Sequence, residues 1–181
     1  MSSDNPWKTL SSREIYSNPW FSVREDQVIR PDGKPGIYGV VSSRIATGVV
    51  ALSEKNEIYL VGQFRYPMNA YSWEIIEGGT DDGETPLDCI KRELREEAGL
   101  LATEWREIPG EIHLSNCYTS ERGFLFIARG LTEVPAEPDG TEVLTVKKLP
   151  FNDALAMVER GEINDGMSVI GILRAKRMLG L

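Results

Sequence analysis

Ten carboxylates and only three cationic side chains fall within residues 74–104, so a net charge of −7 sits in 31 residues of a 181-residue chain whose total is −8. A surface made acidic for solubility would spread that charge, so its concentration points to a local cation site. At about 100° per residue, a helix over residues 86–98 puts Glu93, Glu96 and Glu97 within an arc of roughly 100°. Leu87, Ile90, Leu94 and Ala98 lie beside that arc, so the carboxylates border the face to be buried. Like charges at these spacings repel, and Arg92 and Arg95 fall on other faces of the wheel. A hard divalent cation would neutralise the three acids, because Mg²⁺ takes carboxylate oxygens and keeps waters for a phosphate-bearing substrate. Other chemistries are short of residues. The single histidine, His113, cannot supply a multi-histidine zinc site, and Cys89 and Cys117 are too few for a disulfide framework.

The run Gly78-Gly79-Thr80-Asp81-Asp82-Gly83 feeds the helix, and glycines let backbone approach metal or phosphate closely. It is no P-loop, since no Gly-Lys-Ser/Thr follows, and its acids are misplaced for an EF-hand. From Gly78 the chain runs five residues to Glu84, seven more to Arg92-Glu93-Leu94, one to Glu96-Glu97 and one to Gly99-Leu100. That run resembles the signature of the Nudix hydrolases at every fixed position, a match expected by chance on the order of 10⁻¹⁰ per starting position. The resemblance implies an α/β Nudix fold, a mixed β-sheet sandwiched between α-helices. It also implies hydrolysis of a nucleoside diphosphate linked to another group, with Mg²⁺ as cofactor and Mn²⁺ as the alternative ion. Its metal ligands would be Glu93 and Glu97, with Glu96 as a third ligand or a supporting group, and the backbone carbonyl of Glu77. Arg92 would orient a carboxylate through a bidentate bond, and Glu84 would steady the loop or a metal.

Flanking segments resemble the ADP-ribose pyrophosphatase and nucleoside diphosphate sugar hydrolase branch of that family. Gln63-Phe64-Arg65-Tyr66 is similar to its Gln-(aromatic)-Arg segment and Trp73-Glu74-Ile75-Ile76-Glu77-Gly78 to its run into the box. Arg65 would then meet a substrate phosphate, for which a guanidinium fork is suited, and Glu74 joins it as a substrate-binding candidate. The segment Asn18-Pro19-Trp20-Phe21 resembles an N-terminal strand that offers an aromatic ring to the base, which makes Trp20 and Phe21 candidates. Glu121 matches an acid that contacts the terminal sugar. Asn116-Cys117 departs from the Pro-Gly of ADP-ribose hydrolases, which favours a broader range of nucleotide sugars. The general base by resemblance is Glu142, in Asp139-Gly140-Thr141-Glu142, with Asp139 and Glu121 as rivals. Products would be a nucleoside monophosphate and a sugar phosphate. The alternatives are another Nudix reaction, such as dinucleoside polyphosphate hydrolysis, or a nucleotide-sugar sensor without catalysis.

Around the site, strand patterns occur at residues 13–16, 21–29 and 37–41, the last two joined by a turn at 31–36. They form a small N-terminal antiparallel β-sheet, expected over residues 1–43, that must pack on something else. The Nudix domain is expected over 44–181. It begins with a hairpin of strands 48–52 and 57–64. The helix at 86–98 is punctuated by Thr85 as N-cap, Pro86 at its first position, Asp88 three residues past the cap, and Gly99 at its C-terminal cap. Strands at 104–113, which includes His113, at 124–128 and at 143–149 precede helices at 152–160 and 168–179. The N-terminus has no targeting signal and no apolar run spans a bilayer, so a cytoplasmic protein with no membrane or nucleic-acid partner is expected. By analogy with dimeric relatives, the N-terminal sheet is expected to make a homodimer.

Overall fold

The computed structural model describes residues 4–137 and 143–181. Its contacts divide the chain into two units, one reaching to Arg44 and taking in His113–Arg122, the other formed by Ile45–Ile112 and Gly123–Leu181.

In the first unit, strands β1 (Lys8–Ser17), β2 (Phe21–Ile29) and β3 (Pro35–Ser43) form an antiparallel sheet in that order. Asn18 closes the first turn, its Oδ1 accepting from the backbone N–H groups of Trp20 and Phe21 at 2.8 and 2.9 Å. The segment 115–120 belongs here because it hydrogen-bonds to β3. Val41 N–H donates to Tyr118 O at 2.8 Å, Ser120 N–H to Val41 O at 2.9 Å, and the Tyr38 hydroxyl to Cys117 O at 2.6 Å. Among the described residues of this unit, only Asp26 and Val28 are buried, and every residue of β1 is exposed.

The described residues of the second unit form two sheets. A mixed sheet has the order β7 (Ile76–Gly79), β4 (Ala46–Ala51), β9 (Arg122–Glu133), β8 (Leu100–His113), with β4 antiparallel to β7 and parallel to β9. An antiparallel sheet has the order β10 (Thr145–Pro150), β5 (Glu57–Arg65), β6 (Ala70–Glu74). Among the described residues the α-helices are α1 (Pro86–Ala98), α2 (Phe151–Glu159) and α3 (Gly166–Leu179), with a 3₁₀ turn at Tyr66–Met68. Strand β4 of the mixed sheet is buried on both faces. Val49, Ala51, Ile76, Phe126 and Ala128 cluster with Ile90 and Leu94 of α1. Val50, Leu125 and Ile75 approach Gly171 of α3 so closely that a Cβ there would lie 3.1–3.6 Å from them. The alternation Val49, Val50, Ala51 is the period of two that gives one strand two buried faces.

Two expectations change. Strands 48–52 and 57–64 do not form a hairpin. A single bridge, Leu52 to Ile58, joins them before β5 leaves for the other sheet. Strands β6 and β7 were not foreseen, and the first two glycines of the supposed loop, Gly78 and Gly79, are the end of β7. No helix among the described residues is long and apolar enough to cross a membrane.

Candidate active site

Helix α1 starts and stops where its caps dictate. The Thr85 hydroxyl accepts from Asp88 N–H at 3.2 Å, and Gly99 takes the left-handed conformation at φ 61° that closes the C-terminus. Two bonds anchor the end of β7 that leads into it. The Thr47 hydroxyl donates to Gly78 O at 3.1 Å, and Thr80 N–H donates to Ile45 O at 3.0 Å.

Arg92 ties the loop to the helix. Its Nε and Nη2 fork onto Glu84, each at 3.0 Å, and Nη1 reaches Glu93 at 2.7 Å and Glu96 at 3.0 Å. Nη2 also donates to Gly79 O at 3.3 Å. The expectation that Arg92 lies on another face is corrected: it is the i,i+4 neighbour of Glu96, about 40° from it on the wheel. Its long stem brings the guanidinium round to the acids, so it compensates more than expected. Glu84 faces the loop as well, accepting from Asp81 N–H at 3.0 Å. The Arg92 fork holds its carboxyl down at about 2, while the three acids push the Arg92 guanidinium up. Cys89, packed beneath, has its thiol pushed up to about 11, chiefly by burial, which removes it as a nucleophile.

Glu93 lies across the backbone of β7. A Cβ on Gly78 would come within 2.2 Å of Glu93 Cγ and 2.3 Å of its Cδ and Oε1, so only glycine leaves space for this carboxylate. Glu97 is 5% exposed; its Oε2 is buried without a hydrogen bond, although the side chain has other interactions.

On the other side of β7, Glu77 Oε1 accepts from the Ser168 hydroxyl at 2.9 Å. Burial, then the neighbouring Asp165, push the Glu77 carboxyl well above the usual range. Arg65 and Glu74 meet each other: Arg65 Nε donates to both Glu74 oxygens at 2.9 and 3.1 Å, and Nη2 bonds to Oε2. Glu74 is 2% exposed, and the pair lines a cavity of about 620 Å³ with Tyr71, Asn164, Asp165 and Gly166. One edge of the guanidinium is thus used by Glu74, and the other edge is the one a phosphate could take.

The remaining sequence candidates belong to the first unit or lie outside the described residues. Trp20 is 70% and Phe21 40% exposed in the first unit, where the Phe21 ring packs against Tyr16 at a 40° tilt with centroids 5.7 Å apart. Glu121, also in that unit, follows the segment that pairs with β3, and its N–H donates to the Thr119 hydroxyl at 3.0 Å. Glu142 and its rival Asp139 lie outside the described residues. Asp165 and Ser168 were not foreseen. The spacing Asp-x-x-Ser is a helix N-cap signal, borne out by the Ser168 N–H bond to Asp165 Oδ2 at 2.8 Å, and it would have placed both at the start of α3.

Comparisons with known proteins give the family. Residues 42–167 match the family model of the NUDIX domain. The chain belongs to the Nudix family. Residues 7–41 match a second model, the nucleoside diphosphate sugar hydrolase N-terminal domain. An ADP-ribose pyrophosphatase of Mycobacterium tuberculosis is 31% identical over 94% of this chain and 83% of its own length. A GDP-mannose pyrophosphatase of Shigella flexneri serotype 5b is 32% identical over 90% of this chain and 91% of its own. A solved structure, described as an ADP compounds hydrolase, shares the fold with a TM-score of 0.87 at 19% identity, covering 99% of this chain and 97% of that one.

Nudix hydrolases generally use divalent metal ions. Among the described residues no three ligating side chains converge tightly enough to hold an ion as they stand; Arg92 bonds to both Glu93 and Glu96. The donor set still fits a hard cation. Glu93, Glu96 and Glu97 supply only oxygens from one side of α1, and Gly78 leaves room for the Glu93 carboxylate against the strand.

Proposed function

We propose that this Nudix enzyme hydrolyses the pyrophosphate bond of nucleoside diphosphate sugars, of which ADP-ribose and GDP-mannose are the leading candidates, with Mg²⁺ as its cofactor. The observation that carries the reading is the Arg92 network, which joins Glu84, Glu93 and Glu96 beside the Gly78–Gly79 backbone. The match of residues 7–41 and the names of the relatives support the substrate class.

Glu93 and Glu97, with Glu96 and the Glu77 carbonyl, would hold the metal; when bound, it would neutralise phosphate oxygens and acidify the attacking water. Arg92 keeps the carboxylates in position by balancing their charge. Arg65, steadied by the buried Glu74, offers its second edge to a phosphate oxygen. Glu121 and an aromatic ring from Trp20 or Phe21 would contact the sugar and the base. Glu142 is assigned as the proton acceptor from the sequence alone. Products are a nucleoside monophosphate and a sugar phosphate.

The homodimer is also proposed, through the N-terminal sheet. Leu10, Ile15 and Tyr16 of β1 are each more than half exposed, and a second copy would cover them. The free thiols Cys89 and Cys117 suit a reducing compartment, and we place the enzyme in the cytoplasm. A panel of ADP-ribose, GDP-mannose, UDP-glucose, a dinucleoside tetraphosphate and an oxidised dGTP, with and without Mg²⁺, tests the activity. Nucleotide-sugar turnover that needs Mg²⁺ and is lost in Glu97→Gln is the expected result. Turnover of none would refute it in favour of a sensor, and preference for the tetraphosphate would replace the substrate class. A monomeric mass in solution would remove the dimer.

A further inference from the structure

We propose that Ser168, at the start of α3, is a positioning residue for the metal-bearing strand, pinning the point where the chain crosses from one sheet to the other. It lies just beyond the residues matched by the NUDIX model, in a helix remote in sequence from the box.

The crossing is a single residue. The ladder of β6 with β5 ends at Glu74, opposite Val61, and the ladder of β7 with β4 begins at Ile76, opposite Val49. Ile75 belongs to neither ladder and is 0% exposed, so its N–H needs a partner other than a neighbouring strand. That partner is Ser168 Oγ, at 3.0 Å. The same hydroxyl donates to Glu77 Oε1 at 2.9 Å, so one buried group accepts from Ile75 and donates to Glu77. Ser168 is itself 0% exposed and is fixed from below by the bond of its N–H to Asp165.

The placement matters because of what flanks the crossing. One residue before it, Glu74 anchors Arg65. Two residues after it is the Glu77 carbonyl, and three after it Gly78, over which Glu93 lies. A shift at Ile75 would therefore move the phosphate-facing arginine and the metal-facing backbone relative to each other. Without the hydroxyl, the buried Ile75 N–H and the Glu77 carboxyl both lose a partner, and the crossing can relax only by moving. The inference rests on the proposed metal site.

The test is Mn²⁺ binding to the full chain without substrate, followed by electron paramagnetic resonance, alongside kcat and KM for ADP-ribose or GDP-mannose. Ser168→Ala is expected to weaken Mn²⁺ binding about tenfold or more, as losses of groups that support metal ligands do, and to lower kcat. Ser168→Cys, close in volume but a weaker donor and acceptor, should fall between wild type and Ala; should Ala not fold, Cys is judged by the same criterion. Ile172→Val thins the buried face of the same helix, and should lower the melting temperature while leaving Mn²⁺ affinity unchanged. Wild-type Mn²⁺ affinity and kcat in the Ser168 variants would overturn the proposal, as would an equal loss of affinity in Ile172→Val. A wild-type protein that binds no Mn²⁺ would instead overturn the metal site on which it rests.

Discussion

Replacing Gly78 by alanine should remove most of the turnover and leave the fold standing. The residue is not among those with positive φ, so alanine meets no backbone strain there. On conformational grounds alone the change would be neutral or stabilising by up to roughly 1 kcal/mol, since alanine restricts the unfolded chain. What alanine meets is Glu93. Ordinary contact begins near 3.4 Å, and the new Cβ would stand 2.2 Å from Glu93 Cγ, so the side chain must retreat by about 1.2 Å. It cannot retreat without cost, because its carboxylate shares Arg92 Nη1 with Glu96, and the same arginine forks onto Glu84. A misplacement of about 1 Å in a catalytic site costs on the order of 100-fold. The expected result is a fall of about that size in kcat/KM for a nucleotide sugar at saturating Mg²⁺. The melting temperature of the metal-free protein should stay close to wild type. Gly39→Ala, where a Cβ meets nothing within 4 Å, is the control and should change neither. Turnover near the wild-type value in Gly78→Ala would refute the claim that Glu93 must lie over this strand. A collapsed melting temperature would show that the glycine serves packing instead.

Two further outcomes follow from the same network. The Glu84 carboxyl is held at about 2 against an ordinary 4.5, so its stabilisation is fully present above the unfolded value and is lost as pH falls from there towards 2. Accordingly, the gap in melting temperature between wild type and Glu84→Gln should be widest near neutrality and close as pH falls to about 2; a gap that persists at that pH would count against the Arg92 fork as its source. Divalent cation should raise the melting temperature, by about 2.7 kcal/mol of stability when it is present at 100 times its dissociation constant, and chelation should reverse both that shift and the activity. Glu97→Gln should blunt the shift, and an undiminished response would remove Glu97 from the ligand set.

Helix α1 was legible to the residue because everything that bounds it is local: the Thr85 cap, Pro86 at its first position and the left-handed Gly99. The box carboxylates were legible for the same reason, being a spacing on one helix. Strand pairing is a different kind of information. The alternation that marks β4 and β5 as buried strands is the same whether they pair with each other or, as here, with β7 and β9 on one side and with β6 and β10 on the other. Strands β6 and β7 were hidden because each is short and Ile75 breaks them at the crossing, where the pattern of two sheets meets in one residue. The partner that makes this crossing tenable, Ser168, comes from 93 residues away, and no local signal on either side requires the other.

Arg92 shows a different shortfall. A helical wheel gives the direction of each Cα–Cβ bond, and by that measure Arg92 lies about 40° from Glu96, its i,i+4 neighbour, and about 100° from Glu93. It says nothing of a guanidinium several bonds further out, whose planar fork can sweep back over the helix to whichever acids leave it the best geometry. Short acids near the backbone are therefore placed by the wheel, whereas a long cation beside them is placed by its partners. In this chain those partners come from the loop as well as the helix, for Glu84 and the Gly79 carbonyl hold Arg92 from one side while Glu93 and Glu96 hold it from the other. The cation that bridges these acids is thus the i,i+4 neighbour of Glu96, and the same bonds that meet Glu93 and Glu96 also fix the loop that leads into the helix.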